Sequence, residues 1–144
     1  MDAPKPVLLL AVDDEPANND LMMRAFRAEK EVKLLVAYSG SEALEILGRT
    51  PVDVILVDYS MPGMNGVEFL SAARKVVPDV VAIMVTAFPE MGDVHTARSR
   101  GIVQHIISKP WQVRALVDTV KRAISMRAMR ETVSRLSARD SSTK

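Results

Sequence analysis

Polar residues that could do chemistry stand directly after four short apolar runs of the sequence. Asp13 and Asp14 follow the first run, Asp58 and Thr86 follow two others, and Lys109 lies just beyond a fourth. Parallel strands of an α/β sheet share one edge at their carboxyl ends, and ligands bind there. If the runs are strands of one sheet, these five side chains lie together at that edge.

The three acids predict a site for a hard metal ion. Carboxylates that converge at a partly buried edge repel one another and lose hydration, so they need a cation. Oxygen ligands suit Mg²⁺, which keeps several waters and binds beside phosphate groups. The chain has no cysteine, and no histidine stands beside the acids in the sequence, which argues against zinc. The expected cofactor is Mg²⁺, with Mn²⁺ as a substitute.

A carboxylate beside a metal ion can attack a phosphoryl group and form an aspartyl phosphate. Asp58 is the candidate nucleophile. The transferring group carries negative charge on its equatorial oxygens, which a metal, a fixed ammonium and a hydroxyl donor stabilise. Mg²⁺, Lys109 and Thr86 would supply these three.

Five apolar runs rich in branched residues predict the strands that position this site. The runs are nearly continuous rather than alternating, which is typical of strands buried on both faces of a parallel sheet. They are Val7–Val12, Leu34–Tyr38, Val52–Val57, Val80–Val85 and Val103–Ile107.

Segments with helical periodicity separate these runs. We expect helices that begin at Pro16, near Ser41 and after a cap at Asn65, a fourth over residues 91–100, and a long fifth from about Gln112. Alternating strands and helices predict a doubly wound α/β domain with a parallel five-stranded sheet and right-handed crossovers.

The composition is that of an ordinary globular domain. Of the 144 residues, 48% are hydrophobic and 26% are charged, and a chain of this length can bury one sizeable core. The run Val7–Val12 is short and ends in acids, unlike a signal peptide or a membrane span. We therefore expect a cytoplasmic protein without membrane contact.

Four separated motifs resemble the receiver domains of two-component response regulators. They are VDDE at 12–15, VDYSMPGMNG at 57–66, VTA at 85–87 and SKPW at 108–111, in the family's order and spacing over about residues 6–125. The resemblance implies a flavodoxin-like fold with strand order 2-1-3-4-5 and five helices, the last extended. It also implies a phosphorylation-controlled switch rather than an enzyme, since such domains promote only their own phosphotransfer and dephosphorylation.

By position, the resemblance implies a role for each acid. Asp58 would be the phosphoacceptor and a metal ligand, Asp14 a direct Mg²⁺ ligand, and Asp13 a ligand acting largely through water. The backbone carbonyl of Ser60 would complete the protein's share of the metal shell. The implied phosphoryl donor is a sensor histidine kinase or a phosphotransfer protein.

The other motif residues would bind the phosphoryl group or transmit its presence. Lys109 would pair with the group and precede Pro110 in a cis peptide, and Thr86, followed by Ala87, would move toward it. Ile106 stands at a switch position that is commonly aromatic in the family, which puts a rotamer-coupled switch in doubt. The implied output surface is the fourth helix, fifth strand and fifth helix, where a partner or a second copy would bind.

The resemblance also implies that two positions would flank the path of a hydrolytic water. They are Ser60, two residues after Asp58, and Phe88, two residues after Thr86. A short hydroxyl and a bulky apolar ring offer little to hold and polarise water, so we predict slow self-dephosphorylation.

The end of the chain differs in charge from its body. Residues 1–110 carry 11 basic and 15 acidic side chains, a net −4, whereas residues 111–144 carry 8 and 3, a net +5. We assign residues 1–125 to the receiver domain and 126–144 to a helical extension or linker with a disordered end. The basic tail has no helix-turn-helix motif and no aromatic platform, so we do not expect it to bind nucleic acid.

A short apolar seam runs along this extension. Its members are spaced 3, 4 and 3 residues apart, as in a coiled coil, and are Met126, Met129, Val133 and Leu136. The extension is either a homodimerising or signalling helix, or a solvated helix that frays at Ser141–Thr143.

Two other functions share parts of this chemistry. A haloacid-dehalogenase-like phosphatase also uses an aspartate nucleophile with Mg²⁺, but it places D-x-D on its first strand, where this chain has the adjacent Asp13 and Asp14. A receiver-like scaffold would bind partners without being phosphorylated, although all five key side chains are present here.

Overall fold

One parallel sheet of five strands organises the computed structural model, which describes residues 5–142 and, of those, the side chains up to residue 137. The spatial order is β2-β1-β3-β4-β5, as predicted. The strands are β1 (Val7–Val12), β2 (Val32–Ala37), β3 (Val54–Asp58), β4 (Val81–Thr86) and β5 (His105–Ser108).

Five helices connect these strands and cover both faces of the sheet. They are α1 (Pro16–Phe26), α2 (Gly40–Arg49), α3 (Gly66–Val76), α4 (Gly92–Ser99) and α5 (Val113–Ser142). The first and last helices pack on one face, and the other three pack on the opposite face. The doubly wound, flavodoxin-like fold is therefore confirmed.

The central strands lie between two apolar layers, one on each face of the sheet. Every residue of β3 and β4 is buried, and so is the second half of β1. Strands β1, β3 and β4 end at nearly the same level, since Val12 pairs with Val57 and Asp58 pairs with Val85. Residues at their carboxyl ends therefore meet at one edge.

Helix ends are fixed by local hydrogen bonds that the sequence partly predicts. The predicted cap Asn65 forms a reciprocal capping box with Glu68, which holds α3 directly after the loop that follows Asp58. The cap of α2 is Ser39, whose hydroxyl accepts the N–H of Glu42, so this helix begins just before the predicted start. Gly101, with φ of +76°, ends the fourth helix region.

Helix α5 is a continuous helix of 30 residues that extends beyond the body of the domain. Arg127 forms a 3.0 Å salt bridge to Asp53, just before β3, and this bond fixes the start of the extension against the sheet. The helix includes Ser141 and Ser142, where fraying was expected; Thr143 and Lys144 lie outside the described residues. No helix within residues 5–142 has the length and apolar character needed to cross a membrane.

Candidate functional site

Asp58 is the last residue of β3 and is nearly buried at the sheet edge, with 6% of its side chain exposed. Its Oδ1 accepts the N–H of Ser60 at 3.1 Å, and its Oδ2 accepts a hydrogen bond from Lys109 Nζ at 2.7 Å. A buried carboxylate needs such partners because burial disfavours its charged form. The structure thus brings together the predicted nucleophile and the predicted ammonium group.

Lys109 reaches Asp58 from the loop after β5. Its backbone N–H donates to the carbonyl of Thr86 at 2.9 Å, and its peptide bond to Pro110 is cis, as the motif implied. The lysine side chain is about one third exposed (32%), so its ammonium faces both the acid and solvent. An incoming anion can reach this ammonium from solvent.

Asp13 follows β1 and is held by two donors. Its Oδ1 accepts the N–H of Glu15 at 2.9 Å, and its Oδ2 accepts a hydrogen bond from Asn18 Nδ2 at 3.0 Å. Burial raises the pKa of the Asp13 carboxyl above its ordinary 3.8, and the nearby charge of Asp58 raises it further, whereas the bond from Glu15 opposes the rise. Two acids in mutual repulsion at this edge favour a bound cation.

The donor set at the edge matches a hard cation. The half-buried Asp14 stands beside Asp13 in the β1–α1 turn, and Ser60 follows the acceptor strand with an exposed side chain and a backbone carbonyl in the same loop. All of these donors are oxygens, which suits Mg²⁺. Among the side chains that the structure describes, however, no three acidic, histidine or cysteine residues are grouped so as to hold a metal ion. The donor atoms are of the type that Mg²⁺ prefers, but the side chains do not form a complete coordination site.

Thr86 ends β4 beside this edge and is buried. Its hydroxyl oxygen accepts the N–H of Phe88 at 3.0 Å, which holds it in the β4–α4 loop. Ala87 and Phe88 are both exposed, and Phe88 leaves 67% of its surface in solvent. Four sequence-predicted groups, from Asp13, Asp58, Thr86 and Lys109, are therefore gathered at one end of the sheet.

A family model that describes the response regulator receiver domain matches residues 9–121, which is most of the chain. This chain belongs to the response-regulator receiver family. Such domains belong to two-component signalling systems, and the strand order and site geometry agree with that membership.

Curated relatives of this receiver domain include regulators and a phosphotransferase. It is 36% identical over 133 residues to the hydrogenase transcriptional regulatory protein HoxA of Cupriavidus necator, covering 92% of this chain and 27% of that protein. It is 27% identical to sporulation initiation phosphotransferase F of Bacillus subtilis, covering 83% of this chain and 95% of that protein. The chain thus spans about a quarter of the hydrogenase regulators it matches.

Solved structures agree on the fold. A chain described as adenylate cyclase from Rhodopirellula baltica superposes with a TM-score of 0.83 at 26% identity, covering 91% of this chain and 96% of that one. A CheY-like receiver domain protein from Methanospirillum hungatei superposes with a TM-score of 0.80 at 24% identity, covering 88% and 99%.

Ile106 lies apart from the acidic edge of this receiver domain. It pairs with Met84 in the sheet register, is half-buried and packs against the core on the face of α2, α3 and α4. Its branched aliphatic side chain has no polar group that could reach the site.

Two features of the site were missed from the sequence. Asn19 is fully buried and donates to the carbonyl of Asp13, and Tyr59 in the β3–α3 loop donates to Asp93 in the first turn of α4. The signal for Asn19 was available: it stands at helical spacing with the buried Met22 and Phe26, a polar residue in an apolar stripe. No local pattern pointed to the tyrosine bond.

Proposed function

We propose that this receiver domain works in the cytoplasm as a phosphorylation-controlled switch, in which Asp58 accepts a phosphoryl group from a phosphohistidine. The donor would be a sensor histidine kinase or a phosphotransfer protein. The observation that carries the proposal is the nearly buried Asp58 carboxylate with Lys109 Nζ 2.7 Å away at the carboxyl edge of a parallel sheet. Membership of the receiver family supports the same chemistry.

The transfer is a displacement at phosphorus. A carboxylate oxygen of Asp58 forms the new O–P bond, the P–N bond to the histidine breaks, and its electron pair returns to the imidazole nitrogen. The ammonium of Lys109, already paired with the carboxylate, would pair with an oxygen of the arriving group. A fixed positive charge at that oxygen stabilises the charge that the transition state spreads over the phosphoryl group.

The acidic edge supports a requirement for Mg²⁺, with Mn²⁺ as a substitute. Asp13, Asp14, Asp58 and the carbonyl of Ser60 would hold the ion, and Asp13 would act largely through water. When bound, the ion neutralises the crowded carboxylates and the phosphoryl oxygens. The pKa of Asp13, raised by burial and by the charge of Asp58, supports a need for that positive charge.

Phosphorylation would change the domain through charge. The modification adds close to two negative charges at Asp58, and a Thr86 hydroxyl that turned toward them would give up its bond with the N–H of Phe88. Such a movement would bias a pre-existing equilibrium of the β4–α4 loop. The output surface proposed is α4, β5 and α5, which would signal to a partner or to an output domain.

A homodimer would form at that output surface or along the C-terminal helix, and exposed apolar surface favours the helix. Arginines lie at both places, Arg98 and Arg122 in the groove beside β5 and Arg127 and Arg130 in the extension, so charge does not decide between them. Every apolar residue of the seam is instead at least half exposed: Met126 52%, Met129 69%, Val133 58% and Leu136 55%. Val133→Glu should abolish a dimer seen by light scattering if the seam carries it, and should leave the dimer intact if the groove carries it.

Counting turnovers tests the proposed function against its alternatives. A receiver takes up one labelled phosphoryl group per chain from a phosphorylated histidine donor and performs no continuous hydrolysis of small phosphomonoesters. An aspartate-nucleophile phosphatase would release phosphate over many cycles, and a scaffold would take up no label. The expected outcome is one stoichiometric, Mg²⁺-dependent label.

A further inference from the structure

Asn19 is a polar residue in a place where packing alone favours an apolar one. It lies in α1 with none of its surface exposed, on the stripe that also buries Met22 and Phe26. A buried amide is costly unless its polar atoms are hydrogen-bonded. Its hydrogen bonds therefore show what this residue contributes.

The amide nitrogen of Asn19 joins the ends of two strands. Nδ2 donates to the carbonyl of Asp13 at 2.8 Å and to the carbonyl of Ala37 at 3.3 Å. Ala37 ends β2, and its carbonyl also accepts the N–H of Asp13 at 3.1 Å. Since both neighbours are acceptors, only the nitrogen of the amide can face them. The side chain fixes the main chain of the residue that opens the acidic turn.

The amide oxygen of Asn19 has no hydrogen-bond partner, alone among the buried side-chain polar atoms that the structure describes. Asn19 also lines a cavity of about 20 Å³, together with Asp13, Asp58 and Trp111. A space of this size is wide enough for about one water molecule. A leucine at position 19 would fill the same place without a buried, unpaired amide oxygen. Core packing therefore does not explain why this residue is an asparagine.

We propose that Asn19 is a positioning residue for the metal-binding turn. Its amide nitrogen holds the main chain of Asp13, while Glu15 N–H and Asn18 hold the carboxylate of the same residue. Its oxygen binds one water in the cavity below Asp58. This inference rests on the proposed function, because it assumes that the acidic edge binds Mg²⁺. Loss of a group that orients a metal ligand from behind typically lowers metal affinity by about 10- to 100-fold.

Mg²⁺ affinity, rather than phosphorylation, is the quantity to measure. Trp111 is the single tryptophan of the chain and lines the same cavity as Asp13 and Asp58, so its fluorescence reports on that edge. Asn19→Leu removes the donor to the carbonyls of Asp13 and Ala37 together with the unpaired amide oxygen. We expect it to raise the dissociation constant for Mg²⁺ by about tenfold or more, measured by Trp111 fluorescence and by calorimetry on the full chain.

Two further variants separate positioning from general destabilisation. Asn19→Ala removes the amide without adding volume and serves if the leucine variant does not fold. Leu47→Ala makes a hole in the core on the opposite face of the sheet, away from the acidic turn. It should lower the denaturation midpoint and leave the Mg²⁺ dissociation constant unchanged.

Each outcome decides the inference. Weaker Mg²⁺ binding in the Asn19 variants, with normal binding in Leu47→Ala, supports it. Wild-type affinity in a folded Asn19 variant overturns it and leaves the proposed function intact, and an equal loss in Leu47→Ala also overturns it. If the wild-type chain binds no Mg²⁺, both the inference and the metal-dependent function fail.

Discussion

The hydroxyl of Tyr59 donates a hydrogen bond to Asp93 Oδ2 at 2.6 Å. Tyr59 directly follows Asp58 in the chain, and Asp93 lies in the first turn of α4. The bond therefore connects the residue beside the candidate acceptor to the first element of the proposed output surface. With the aliphatic Ile106 at the usual aromatic switch position, this bond offers a separate physical connection between the two.

Removing the hydroxyl should loosen the start of α4. The N-cap residue of α4, Met91, makes no side-chain cap hydrogen bond, whereas Tyr59 binds Asp93 in the first turn. A hydrogen bond of this kind contributes about 0.5–1.5 kcal/mol. Tyr59→Phe should therefore speed amide hydrogen exchange in the first turn of α4 several-fold.

The control for this prediction is Tyr38→Phe, which removes the other tyrosine hydroxyl of the chain from the loop after β2. Exchange in α4 should not change in this variant. Equal exchange rates in Tyr59→Phe and wild type would show that the bond does not hold the helix.

The same bond predicts a pH dependence. The hydrogen bond to Asp93 raises the pKa of the Tyr59 phenol above its ordinary 10.0, because the ionised phenolate cannot donate. Its stabilisation is thus complete below that value and is lost as pH rises through the higher folded-state pKa. In a Tyr38→Phe background, Asp93→Ala should move the tyrosinate absorbance midpoint down; an unmoved midpoint would show that the acid does not hold the phenol in solution.

Loss of the Lys109 ammonium should destabilise the domain through Asp58. Lys109→Met leaves a nearly buried carboxylate without its cation, which costs about 1–3 kcal/mol when the lost partner is itself partly exposed. Adding Asp58→Asn removes the buried charge and should restore most of that free energy of unfolding in urea titrations. Additive losses in the double variant would mean that the two groups are not coupled.

A methyl group at Gly66 should press on the acceptor strand. A Cβ there would lie 2.8 Å from the carbonyl oxygen of Asp58 and 3.0 Å from the Cα of Tyr59. Gly66→Ala should cost about 1–3 kcal/mol of stability and slow phosphorylation of Asp58.

Gly48→Ala is the matched control, because a Cβ in that part of α2 meets no atom within 4 Å. This substitution should stabilise the helix by about 0.5–1 kcal/mol. Equal stabilities of the two variants would contradict the steric reason.

The phosphorylated domain should lose its label slowly. Ser60 and Phe88 stand two residues after Asp58 and Thr86 with exposed side chains, and a short hydroxyl and an apolar ring offer little to hold and polarise a water. Ser60→Gln adds an amide that can orient one, and should speed the loss several-fold in a chase with buffered Mg²⁺. Disappearance of the wild-type label within seconds would refute the prediction.

Strand and helix order follow from the sequence because the central runs are apolar on both faces, whereas element boundaries follow less well. β2 begins at Val32 rather than Leu34, since the exposed Lys33 interrupts an otherwise apolar run. β5 begins at His105 rather than at the predicted Val103. Val103 is buried, but it lies in the turn after α4 and not in the strand. Apolar character marks burial, and burial is not confined to strands.

Site residues at strand ends are predictable, while their supports are not. Asp58 and Lys109 meet because the topology brings all strand ends to one edge, which a sequence pattern can indicate. The bond from Tyr59 to Asp93 spans 34 residues of sequence and depends on how two loops lie. Asn19 shows itself only as a polar exception in an apolar stripe, and its partners are main-chain carbonyls, which leave no trace in side-chain patterns.

The most direct test of the central claim is the intact mass of the chain after incubation with acetyl phosphate and Mg²⁺. Wild type should gain the mass of one phosphoryl group, and the Asp58→Asn variant should gain none. Equal labelling of the two proteins, or an unlabelled wild type with Mg²⁺ present, would contradict the assignment of Asp58 as the phosphoacceptor.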